Sequence, residues 1–277
     1  MFTRVAIGRG RVVREVGAAA PLMAELRVPA TARGPWLTAV LNEGAARRPR
    51  ARPVAVVVES QGQGRPDGVA FLALRRRGLT TTVTMLGDGI VPIPDGMPPF
   101  RLLARDEATA ARLAAGVLDL LESVRGPWTL HLAGLPLGDP TLRALAARLP
   151  TALLANSRSF RLVDELDQVG TVVRSCDPRA LERLLPALLS REPDLRARGF
   201  LRSAARLHAA IDQLEVAVVA DGNDVRAGLL TLLDGDARRP WWGTSELGGF
   251  RSELGAPLVR LTVPAPGWPP LPGQRWP

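Results

Sequence analysis

The chain of 277 residues has no tyrosine, a single cysteine (Cys176) and two histidines (His131 and His208). Lysine is missing too, so all 36 basic residues are arginine. These gaps exclude chemistry. There is no P-loop, Schiff-base or kinase-type lysine, no tyrosine general acid, and no cysteine–histidine zinc cluster. One cysteine cannot close an intramolecular disulfide, which fits a reducing compartment. No uninterrupted apolar stretch reaches the ~18 residues of a membrane span. Met1-Phe2-Thr3-Arg4 runs into Arg9, Arg11 and Arg14 without the apolar centre of a secretory signal. The expectation is a cytoplasmic protein with no membrane span, no metal and no permanently bound cofactor.

Hydrophobic residues make up 46% of the chain, enough for a substantial core in one large domain or two ordinary ones. Net charge is +9. Abundant Arg, Ala, Gly and Pro beside scarce Ile and Asn is the composition of a GC-rich bacterial genome, which exchanges Lys for Arg without changing charge. The arginines are dispersed, apart from Arg47, Arg48, Arg50 and Arg52 and the triplet Arg75, Arg76, Arg77. A solvated basic surface accounts for them better than a nucleic-acid site does.

Local patterns suggest an α/β fold. Residues 1–34 are interrupted by Gly8, Gly10, Gly17 and Pro21, which argues against a long element there. Pro35 begins a short helix through Leu41. Pro53–Ser60, 68–76 and 80–86 read as strands, with turns near Gly62–Gly68 and at Arg77-Gly78. Residues 87–99 form a loop rich in Gly and Pro. Asp106 caps a helix with apolar residues at three- and four-residue steps from Ala110 to Val124. Trp128–Leu132 alternates as a strand, Asp139-Pro140 starts a second helix, and Thr151–Ala155 is a short strand. This succession predicts helices packed on a largely parallel sheet. Asp177-Pro178 starts another helix, which Pro186 should kink or split. A helix over about 195–213 then precedes strands 214–220 and 225–233, joined by Asp221-Gly222-Asn223-Asp224. Pro257–Val263 is a last strand before a tail without a core.

Candidate chemistry is sparse. Gly243-Thr244-Ser245-Glu246-Leu247 lacks the last glycine of a nucleophile elbow. The two histidines and Cys176 read as ordinary packed or surface residues. Gly87-Asp88-Gly89 follows a strand as a phosphate loop should, but Ile90-Val91-Pro92 replaces the helix start that would supply amides. Asp88 and Asp95 flank that loop at a strand's end and either orient an amine or stabilise turns. Arg238, Arg239, Trp241 and Trp242 either grip an anion or plug the end of a small core.

A helical pair containing Arg198-Gly199-Phe200, followed by Leu214–Gly222 and Val225–Leu233, resembles the start of a GNAT-type acyltransferase domain. The part from Pro35-Trp36 to Thr151–Ala155 is similar to the N-terminal half of the Fem-type and cellulose-biosynthesis-type acetyltransferases, which carry two GNAT-like domains in tandem. The resemblance implies a mixed α/β protein with a central sheet and flanking helices. It divides into unit 1–158 (35–156 its clearest part) and unit 159–277, the second truncated or put to another use. It further implies an N-acyltransferase with acyl-CoA or an aminoacyl donor as co-substrate and an amine or other small molecule as acceptor. Arg238 and Arg239 would hold the anionic donor, beside Trp241 and Trp242, with Asp88 or Asp95 orienting the amine. A working member would carry Arg/Gln-x-x-Gly-x-Gly/Ala after its fourth strand and a thiolate-protonating tyrosine. The chain has no tyrosine, and nothing after Asp236 matches the loop. A non-catalytic binding or scaffold protein of the same fold is the rival expectation, and an arginine-driven nucleic-acid binder a third.

Overall fold

The computed structural model describes residues 1–46, 51–60, 64–90, 96–222 and 224–265. Arg47–Arg50, Gln61–Gln63, Asp95, Asn223 and the tail after residue 265 lie outside the described residues.

The N-terminal segment is regular, against expectation: β1 (Phe2–Ile7), α1 (Arg9–Ala18) and α2 (Ala20–Glu25). Its Gly and Pro fall where they do least harm. Gly8 takes a positive φ just before α1, and Pro21 occupies the first turn of α2. Arg4 ties the segment down, with bonds of 2.6 and 2.8 Å to Glu15 on α1 and 2.7 and 2.9 Å to buried Glu59. Next come α3 (Gly34–Ala46), β2 (Arg52–Glu59), β3 (Gly68–Arg77) and β4 (Thr80–Met85). A two-residue strand β5 (Leu103–Ala104) leads to α4 (Glu107–Ser123), β6 (Trp128–Pro136), α5 (Pro140–Arg148) and β7 (Leu153–Asp164).

The remainder comprises β8 (Val172–Ser175), α6 (Pro178–Ser190), α7 (Leu195–Ala209), β9 (Leu214–Asp221), β10 (Asp224–Asp234), β11 (Ala237–Ser245) and β12 (Phe250–Val263). The Asp106, Asp139 and Asp177 side chains cap their helices as expected. Pro186 does not split α6, because it sits on the exposed side while Leu181, Leu185, Leu188 and Leu189 are buried.

Two sheets result. The larger has the order β1-β2-β3-β4-β6-β12-β7, with β5 beside β3; the smaller runs β11-β10-β9-β8. The fold is mixed α/β with flanking helices, but the large sheet is mainly antiparallel. Among the described residues its one parallel pair is β4 with β6, Thr81 opposite Trp128 through Thr84 opposite His131. Both sheets share a plan: a strand, then helices, then three antiparallel strands. β12 crosses back to lie between β6 and β7. The expected unit boundary at 158/159 falls within β7, and the last strand begins seven residues before Pro257.

Two helical layers meet between the sheets. Helices α1 and α3 cover one face of the large sheet, α6 and α7 cover the small one, and α3 packs on α7. Trp36 of α3 is the centre of this seam. Its ring lies edge-on to Phe200 of α7 at 4.9 Å and to Trp241 of β11 at 5.4 Å. A second core, under α4 and α5, fills the other face of the large sheet with Val83, Leu113, Leu130 and Leu261.

His208 of α7 is wholly buried beside Trp36, and neither ring nitrogen makes a hydrogen bond of good geometry, although the Gln213 side chain approaches. Burial lowers its pKa to about 4. In the unfolded chain it takes a proton near 6.5, so between these values the unfolded state binds more protons and acid favours unfolding. Urea titrations should show stability falling by up to about 3 kcal/mol as pH drops from 6.5 towards 4, with the slope reduced in His208→Gln. Trp36→Ala should cost about 3–5 kcal/mol and loosen both helical layers in one transition, measured by chemical denaturation.

Candidate functional site

Parallel strands leave their C-terminal ends open to ligands where neighbouring strands part. After Thr84 and His131, β4 and β6 separate, and β6 continues to Pro136 without β4, paired on its other edge with β12. The opening is filled from within. The Phe100 amide donates to the Gly134 carbonyl at 3.2 Å, so residues 99–100 lie along the part of β6 that β4 has left. Gly134 has φ 70°, and a Cβ there would stand 2.9 Å from Pro99 and 3.0 Å from Phe100. Only glycine permits so close an approach. Phe100 is buried, and the cavity beside it measures about 10 Å³, lined in part by Phe71, Met85 and Arg101. That is room for one water at most.

The helix start that could hold an anion beside this opening is also committed. The Asp106 carboxylate accepts from the Thr109 amide at 2.7 Å, and this bond holds its pKa below the ordinary aspartate value. The Arg105 amide donates to the Asp67 carbonyl, and β5 pairs with β3. A fixed negative charge therefore stands where a phosphate would need bare amides.

On the opposite face from the α4–α5 core, the strand ends carry polar groups. Thr129 bonds Thr82 at 3.1 Å, and His131 Nδ1 lies 3.2 Å from Thr262 Oγ1 on β12. The backbone turn after β4 brings Asp88 into the field of His131. Burial raises the Asp88 carboxyl's pKa, while His131 and Arg75 pull it down. Burial lowers the His131 pKa below 6.5, Asp88 raises it, and Arg260 lowers it further. Asp88 and His131 thus lie within electrostatic reach of each other, with burial opposing the charged form of each. Sequence reading set His131 aside for want of a partner. The partner lies 43 positions earlier, and only the parallel pairing joins them.

The second opening lies between β7 and β11, terminal strands of the two sheets. A cleft of about 380 Å³ is lined by Gly96, Met97, Arg161–Asp164 and Arg238–Pro240. Consecutive residues of each strand line it, so strand edges border it rather than one pleated face, where every second residue would appear. Each edge has main-chain groups without a ladder partner. Arg161 is paired to Glu253 at 2.7 Å, and Arg238 to Asp164 at 3.5 Å and to Glu215. Arg239 stands 3.9 Å from Asp234, and its buried Nε makes no hydrogen bond.

The residues singled out in the sequence are thus dispersed. Arg238 and Arg239 line the cleft, and Asp88 stands with His131 at the other opening. Asp95 is outside the described residues. Trp241 and Trp242 point into the core between the helical layers, both buried. A bulge makes this possible: Leu230 faces Trp242 and Thr231 faces Pro240, leaving Trp241 as the extra residue. The Trp242 indole donates to Glu192 at 2.9 Å.

No protein-family model matches the sequence, and no curated protein matches it. Among solved structures, a tandem GNAT protein from the clavulanic acid biosynthesis pathway is similar at 16% identity and TM-score 0.41, over 95% of this chain and 98% of that one. FemX is similar at 13% identity and TM-score 0.44, over 84% of this chain and 58% of FemX, so this chain spans less than two thirds of that protein. A conserved protein of unknown function from Enterococcus faecalis V583 follows at 8% identity and TM-score 0.34, over 94% of this chain and 72% of that one. The first two names fall within the GNAT-like resemblance read from the sequence. At TM-scores of 0.34 to 0.44 they carry no argument about this chain's chemistry, which rests on its own geometry.

Because the chain has only two histidines, the His131 ring signal can be followed by NMR. It should titrate below pH 6.5. Asp88→Asn should move the midpoint lower still, since the carboxylate favours the imidazolium. An unchanged midpoint would mean the two groups do not interact.

Proposed function

We propose that this chain is a GNAT-like relative of the N-acyltransferases that binds a small anionic ligand without thioester transfer. In this reading residues 165–249 are a second, partial unit set between β7 and β12. The observation that carries it is the Phe100 amide on the Gly134 carbonyl. The chain's own loop lies in the gap that an acyl-CoA arm would have to enter, and Asp106 holds the amide that a pyrophosphate would need. What remains open is the cleft between β7 and β11. There Arg161, Arg238 and Arg239 offer guanidinium donors, the strand edges offer main-chain groups, and Asp164 can take an amine.

Calorimetry with acetyl-CoA at millimolar concentration should give no saturable heat. Saturable heat together with release of free CoA on adding an amine would overturn the proposal. Inorganic pyrophosphate should raise the melting temperature of the wild-type chain and leave the Arg238→Ala/Arg239→Ala variant unmoved. Equal shifts in the two would remove the cleft from the reading.

A second reading keeps catalysis, and the Asp88–His131 pair favours it. Asp88 would orient an amine and neutral His131 take its proton, with an acyl or aminoacyl donor approaching over the polar face. Hydrolysis of p-nitrophenyl acetate that rises through a midpoint below pH 6.5 and disappears in His131→Ala would support this reading. Among the described residues no helix is long and apolar enough to cross a membrane.

A further inference from the structure

We infer that a second copy of this chain docks on the free edge of β7, pairing antiparallel over Leu153–Arg161 so that the large sheet continues through a two-fold axis at Ser157. β7 is the last strand of that sheet and is bonded on one side by β12. The cleft facing β11 begins only at Arg161, so the stretch before it has no strand on its outer side among the described residues. From Leu153 to Phe160 every residue but Ser159 is exposed, on both faces of the strand.

Native edges of this length are usually protected by charge, proline or a covering segment. The edge strand β11 has Pro240 and two charges, Arg238 and Arg239, whereas Leu153–Phe160 contains no proline and one charge, Arg158. Its apolar side chains are conspicuous: Leu154 and Phe160 are each 57% exposed, and Leu254, opposite Phe160 on β12, is 59% exposed. Leu154 and Phe160 are six residues apart and so share one face.

The sequence of the edge selects its own kind as occupant. Apolar residues stand at both ends, Leu153-Leu154 and Phe160, with Ala155-Asn156-Ser157-Arg158-Ser159 between them. An antiparallel pair centred on Ser157 sets Leu154 against Phe160 of the second copy, and Phe160 against the second copy's Leu154. Asn156 then faces Arg158, Leu153 faces Arg161, and no arginine opposes another. Moving the axis by one residue to Arg158 would set two guanidiniums directly opposite, which is unfavourable. The loop at Gly96, which bonds Phe160 and Ala256, touches the Cβ of Arg161 and so lies over the other face.

Light scattering on the purified full chain at micromolar concentration should give twice 29.6 kDa. Leu154→Lys/Phe160→Lys should be monomeric with unchanged circular dichroism. A wild-type monomer, or a dimer that survives both lysines, overturns the proposal. Cross-linking decides independently if the double variant fails to fold. On the two-fold, the Ser157 Cα atoms would lie roughly 4.5–5.5 Å apart, within disulfide reach. With the exposed Cys176 replaced by serine, Ser157→Cys should therefore form a covalent dimer on mild oxidation, and Val173→Cys on the opposite sheet's edge should not. Equal yields from the two positions also overturn it. If the edge instead receives a strand from a different protein, the pure chain stays monomeric, which is the first overturning result.

Discussion

The return of β12 to the large sheet is the constraint on which the rest of the structure depends. Its ladder to β7 runs from Phe250 opposite Asp164 to Thr262 opposite Leu153, and its other edge pairs with β6. Everything between Asp164 and Phe250 is therefore held at both ends by neighbouring strands of one sheet. The small sheet has little freedom to swing, and the Trp36–Phe200–Trp241 seam then locks the helical layers face to face. The cleft between β7 and β11 follows from the same constraint. The two strands are kept close at Asp164 and Arg238, yet they belong to different sheets and cannot zip together.

Both openings illustrate how a protein treats space left by parting strands. An empty apolar gap would forfeit dispersion contacts and cost stability in proportion to its volume. At β4 and β6 the chain fills the gap with Pro99 and Phe100, and Gly134 lets them in. At β7 and β11 the walls mix Met97, Leu162, Val163 and Pro240 with arginine, aspartate and strand-edge backbone, whose polar groups water or a polar ligand can satisfy while the cleft stays open. The gap filled by the chain's own Pro99 and Phe100 is closed, and the one bordered by guanidinium and carboxylate groups is open. For this reason the cleft, rather than the parted parallel strands, carries the binding proposal.

Much of the local structure was legible. The aspartate caps at 106, 139 and 177 locate three helix starts, apolar runs find β2 and β3, and a β-branched run finds β4. The misses share a cause. α1 and β11 contain Gly or Pro and β1 runs directly into Gly8, which local rules read as interruption. Gly8 and Pro21 stand at helix starts, and Pro240 sits on a terminal strand where a missing amide costs little. β7 is more than twice the expected length: its last two thirds, Ser157–Asp164, begin with exposed residues on both faces and so lack the period-two signal of a half-buried strand. The predicted parallel sheet failed because β7 and β12 take their direction from a pairing between residues 86 to 109 positions apart.

Of the candidate site, the residue types were readable and their meetings were not. Arg238 and Arg239 border a cleft, but Trp241 and Trp242, next in sequence, turn into the core through a bulge that depends on β10. The sequence alone determined which chemistries are missing, where the main helices begin, and that two apolar faces must be buried, because composition, capping and periodicity act within one element. Only the tertiary structure decided that Asp88 comes within electrostatic reach of His131, that Phe100 occupies the gap beside Gly134, and that two strand edges face each other across open space. Those outcomes are set by pairings between segments far apart in the chain, whose free energies depend on packing and geometry that no local pattern encodes.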